Sequence, residues 1–159
     1  MMKKGAAVEM KSETMTKITK WVLDFMFLAG IVAVATLPFT LKLAGAYYME
    51  ELAEHYWFML AILTASGLSG LLIIRELRQM MRTVVAQNCF VYENVLSLKR
   101  MGIISFLIAV LYCIKLFVVP TPATFVIVLT FFIAGLFSEV LACVFREAVQ
   151  YKEENDLTV

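Results

Sequence analysis

Residues 120–138, PTPATFVIVLTFFIAGLFS, contain no charged side chain, and neither do residues 57–74, WFMLAILTASGLSGLLII. Either run is apolar on every face of a helix. Each is about as long as the ~20 residues a helix needs to cross the ~30 Å hydrocarbon core of a bilayer. A strand of an outer-membrane barrel would instead alternate apolar and polar side chains over about ten residues. These two runs therefore decide the fold class, and the rest of the chain is read outward from them.

Two further runs flank them. Residues 21–43 form a first span with Asp24 near its start, Pro38 near its end and Lys42 at its edge, and residues 101–119 form a third. The fourth extends over residues 123–145 with one acid, Glu139, inside it. The expected fold is an all-α membrane protein, a four-transmembrane-helix bundle. Its composition agrees: 62% of the 159 residues are hydrophobic and 17% charged, against about 45–50% and 25% in soluble domains.

Charge sets the expected orientation, because Lys and Arg near span ends are retained in the cytoplasm. Lys3, Lys4, Lys11, Lys17 and Lys20 precede span one; Arg75, Arg78, Arg82, Lys99 and Arg100 lie between spans two and three; Arg146 and Lys152 follow span four. Only Lys42 and Lys115 fall on the other side, where long side chains reach the interface. Both termini are thus expected in the cytoplasm, in a multi-pass protein of the cell membrane. Ala44-Gly45-Ala46 has the small-residue spacing of a signal-peptidase site. The apolar stretch before it is too long for a signal h-region and Lys42 adjoins it, so span one is expected to be retained.

The expected organisation is a cytoplasmic segment 1–20, a transmembrane domain 21–146, and a cytoplasmic tail 147–159. Outside, the links are short: residues 47–56 with Glu50, Glu51 and Glu54, and Val119-Pro120-Thr121-Pro122. Inside, residues 75–100 are longer, and Leu77, Met80, Met81, Val84 and Val85 recur at helical spacing. Span two is therefore expected to continue beyond the membrane, turn near residues 87–90 and return as a helical hairpin. A similar extension is expected after span four, so that helices 2, 3 and 4 all project into the cytoplasm.

Little here favours catalysis. The single His55 has no second His, Cys pair or carboxylate cluster beside it. Cys89, Cys113 and Cys143 fall in three separate segments. No enzyme activity, catalytic residue, cofactor or metal is expected, and a net charge of +1 gives no field for nucleic acid. Asp24, Arg75 and Glu139 are the candidate intramembrane polar cluster, since an ionisable group in a span costs about 2.5–3.5 kcal/mol at the bilayer centre and normally points inward with a partner. Arg75 is the expected counter-charge of Glu139. The stripes Ala61/Ala65/Ser69 and Ala134/Ser138/Ala142 are read as packing faces within one chain in preference to a homo-oligomer interface.

Several residues together resemble a known group. Pro38, the stretch Phe90, Asn94, Leu98 and Lys99, and the ending Glu154, Asp156, Leu157, Thr158 and Val159 are similar to the YoaS-like family of small four-span membrane proteins of Firmicutes, a domain of unknown function. The chain departs from the family at Gln87-Asn88-Cys89, where a Gly-Lys-Pro-like turn is often found. Such proteins are often encoded beside a small helix-turn-helix regulator. The resemblance thus implies a membrane-bound regulator or sequestering partner of a cytoplasmic transcription factor. The expected contact residues are Arg78, Met80, Met81, Arg82, Val84, Phe90 and Asn94 on the hairpin, with Glu154, Asp156, Leu157, Thr158 and Val159 on the tail. Two other readings stay open: immunity or envelope-stress protection against a membrane-active peptide, and a small transporter working through Asp24 and Glu139.

Overall fold

A computed structural model describes residues 2–47, 55–86 and 88–156. They form four helices: α1 (Met2–Tyr47), α2 (Tyr56–Val85), α3 (Tyr92–Val118) and α4 (Pro122–Asp156). Each is long and apolar enough to cross a membrane, so the chain is a multi-pass, all-helical membrane protein. Leu157, Thr158 and Val159, together with residues 48–54, lie outside the described residues.

The helix ends follow from local chemistry. Pro120 and Pro122 disfavour helix in the residues before them, which stops α3 at Val118. Pro122 then serves as the first residue of α4, where a missing N–H costs nothing. No Gly or Pro occurs between Leu71 and Val85, so α2 runs on as expected, to about 45 Å at 1.5 Å per residue. The hydropathy gave no sign that α1 reaches back to Met2. Its first residues are mostly Ala, Met, Lys, Glu and Thr, which propagate a helix without needing burial. Pro38 lies inside α1, and its carbonyl accepts a bond from the Tyr56 hydroxyl at 3.3 Å.

Packing runs in chain order: α1 against α2, α2 against α3 and α3 against α4. Among the described residues, the backbone of α4 comes close to neither α1 nor α2, although the Met80 side chain of α2 packs on the cluster that α3 and α4 share. The bundle is therefore a series with α3 inside it and α1 at its edge: 22% of α3's apolar window is buried, against 6% of α1's. Two apolar clusters hold the ends. Leu41, Met59 and Val119 form one. Val95, Leu98, Ala142 and Val149 form the other, at the α2–α3 turn, with Met80, Leu141 and Phe145 packed on it.

Between the clusters the α3–α4 seam is small and polar, with Ser105 and Ser138 buried and Gly102 and Gly135 facing the partner helix. A Cβ at Gly135 would lie 2.9 Å from the Phe106 ring, so the close approach requires glycine. Lipid supplies no hydrophobic drive between helices, and such small residues let dispersion contacts form instead. Of the two small-residue stripes, Ser138 and Ala142 are buried in this seam, whereas Ala61 is exposed.

Candidate functional site

Where the apolar stretches give way to charge, near the α2–α3 turn, the structure sets out a layer of ionic groups. Arg78 Nε meets Asp24 Oδ1 at 2.6 Å, and the guanidinium lies over the Phe27 ring, 4.7 Å from its centroid. On the next face Arg100 reaches Glu76 at 3.5 Å; Glu76 is buried, and its second oxygen has no partner. Antiparallel pairing explains the register, since Glu76 and Arg100 stand twelve residues before and after Asn88 at the turn.

The expected cluster of Asp24, Arg75 and Glu139 is corrected by this geometry. Asp24 pairs with Arg78, and Arg75, three residues earlier, is exposed. Glu139 lies on the face of α4 toward α3: a Cβ at Gly102 would be 3.0 Å from its Oε1. Because α3 stands between α2 and α4, Arg75 and Glu139 do not meet.

Beyond the ionic layer the three helical extensions build a headpiece. Asn94 is 1% exposed; its Nδ2 donates to Thr83 Oγ1 and to the Cys89 carbonyl, both at 2.7 Å. Thr83 in turn donates to the Met80 carbonyl at 2.7 Å. The turn is thus tied to the ends of both its helices. Lys152 Nζ on α4 donates to Asn88 Oδ1 at 2.7 Å, and Phe90 packs on Phe145 with ring centroids 5.7 Å apart. Phe90, Val91, Tyr92, Val149, Lys152 and Glu153 line a shallow groove beside these contacts.

The expected contact residues therefore divide. Arg82 and Phe90 are exposed. Arg78, Met81 and Val84 are half-buried, Arg78 by its pairing with Asp24. Met80 is half-buried and packs on the apolar cluster of the headpiece, whereas Asn94 is a buried turn anchor and not an exposed contact, a correction to the sequence reading. Glu154 is exposed at the end of α4, which closes at Asp156. Thr83, Asn88 and Lys152 were missed. Thr83 and Asn94 flank the turn almost symmetrically, and that spacing is the signal that would have paired them.

At the opposite end, Lys115 Nζ donates to Thr124 Oγ1 at 2.7 Å, and Thr121 Oγ1 lies 2.7 Å from the same oxygen. Thr124 is fully buried, so this cluster locks the link between α3 and α4. Lys42 lies 5.9 Å from the Tyr56 ring centroid.

Four apolar helices packed in series, with an ordered headpiece at one end, define a small multi-pass membrane protein. Within that class the chain belongs to the family described as "Protein of unknown function (DUF2975)", whose model matches residues 44–159. The match takes in α2, α3, α4 and the headpiece and leaves most of α1 outside it. No curated protein matches the chain, and no solved structure does.

Proposed function

We propose that the protein is a non-enzymatic membrane anchor that regulates or sequesters a soluble helix-turn-helix transcription factor at the cytoplasmic face. The observation behind this reading is the headpiece. Helical extensions of α2, α3 and α4 join in a hydrogen-bonded, apolar-cored unit past the spanning stretches. A merely solvated loop needs no buried Asn94 and no tie from Lys152. The basic residues near this end support a cytoplasmic position. Exposed Phe90 and Tyr92 beside Lys152 supply an aromatic and cationic rim of the kind enriched at protein interfaces.

The test uses the full chain in nanodiscs and any helix-turn-helix regulator whose gene adjoins its own. Titrating the nanodiscs is expected to withdraw the regulator from its DNA in a gel-shift assay, and Phe90→Ala with Tyr92→Ala to weaken that withdrawal at least tenfold. Unchanged DNA binding at saturating nanodisc concentration would refute the reading.

A second reading, protection against a membrane-active peptide, is favoured by α1, whose apolar window is the least buried of the four, at 6%, at the edge of the series. In that case a deletion strain is sensitised to such a peptide and complementation does not depend on Phe90.

A further inference from the structure

We infer that the cleft between α1 and α2 at the headpiece end binds the phosphate of an anionic glycerophospholipid, through Lys20 and Arg82. Lys20, Leu23, Asp24, Arg78, Met81 and Arg82 line a cleft of ≈ 250 Å³. Antiparallel register places Lys20 across from Arg82, each one helical turn beyond the Asp24–Arg78 pair. Asp24 is thereby committed to Arg78. Two exposed cations are left facing the same space, with no acid among the described residues paired to either. Like charges brought together destabilise the helix pair unless an anion is shared between them.

The surroundings select a lipid over a free anion. Lys20 immediately precedes Trp21, where the apolar stretch of α1 begins, so the cleft opens at the depth of the headgroups. Leu23 and Met81 line the same cleft beside the two cations and give acyl chains an apolar surface to lie against. Basic pockets between spanning helices are recurrent headgroup sites. Arg78, held by Asp24 and the Phe27 ring, closes the inner side of the cleft and keeps its position without a ligand. The inference concerns this end of α1 and α2 alone and is independent of the proposed regulatory role.

The full chain is purified in detergent, and its lipid adducts are counted by native mass spectrometry against phosphatidylglycerol and phosphatidylcholine. The expected result is one tightly retained phosphatidylglycerol and no equivalent phosphatidylcholine. Lys20→Gln and Arg82→Gln are each expected to weaken retention about fivefold, and the double variant about 25-fold. Lys20→Arg with Arg82→Lys is expected to restore it. A control, Arg75→Gln with Lys152→Gln, removes the same charge elsewhere, and helicity is checked by circular dichroism for every variant. Equal loss in the control assigns the attraction to diffuse surface charge and overturns the site. Displacement of the lipid by inorganic phosphate at millimolar concentration overturns the choice of a lipid, and failure of the conservative double variant to restore binding overturns the charge mechanism.

Discussion

Replacing Asn94 by Ala tests whether the headpiece is a built unit. The side chain is 1% exposed and spends its Nδ2 on two acceptors at 2.7 Å, Thr83 Oγ1 and the Cys89 carbonyl. Each bond contributes about 1 kcal/mol net, and stranding a partially buried acceptor adds a further fraction, so the expected loss is about 2–3 kcal/mol. The loss is local, because Asn94 ties the turn to α2 and touches nothing at the α3–α4 link. Hydrogen exchange in nanodiscs reads it directly: the amides of Asn88 and Asn94, bonded to the Thr83 and Val91 carbonyls, open through the turn. Their exchange is expected to accelerate roughly 30- to 160-fold, since each 1.4 kcal/mol is tenfold. Labelling of the half-buried Cys89 thiol with a maleimide is expected to speed up in parallel. Amides near Val119 are expected to keep their rate. If Asn94→Ala leaves the turn as protected as before, Asn94 is not its anchor, and the case for an ordered headpiece fails with it.

The Asp24–Arg78 pair is a third to two-fifths exposed on its side chains. A double-mutant cycle with Asp24→Asn and Arg78→Gln, read by thermal unfolding in detergent, is therefore expected to give a coupling of only about 0.5–1 kcal/mol. The same cycle between Glu139→Gln and Arg75→Leu is expected to give none, since α3 separates the two. Gly135→Ala forces the Phe106 ring aside and is expected to cost about 1–3 kcal/mol in an SDS-denaturation midpoint, most of it recovered by adding Phe106→Leu. Thr124→Val removes the oxygen that accepts from the Lys115 ammonium and puts a buried methyl group in its place; the bond lost has a charged donor, so the expected cost is about 1.5–3 kcal/mol in the same assay. In intact cells Cys89 is expected to resist a membrane-impermeant maleimide and to react once the membrane is opened; reaction in intact cells would reverse the proposed orientation.

What the sequence determined by itself was whatever depends on length and local chemistry. Uncharged runs at 57–74 and 120–138 require spanning helices because unpaired backbone groups are intolerable in hydrocarbon. The prolines at 120 and 122 set the tight link, and the absence of a breaker after Ile74 carries α2 on to Val85. Partners were another matter. In a soluble helix the apolar stripe marks the inward face, but a spanning helix is apolar toward lipid and toward its neighbours alike, so hydropathy cannot say which way a residue points. Depth alone made Arg75 and Glu139 look like companions. Only the order of packing, with α3 between α2 and α4, separates them and gives Asp24 to Arg78. Asn94 likewise read as a contact residue on the hairpin, and only the meeting of two antiparallel helix ends turned its amide inward onto Thr83 and Cys89, where a buried donor must find acceptors.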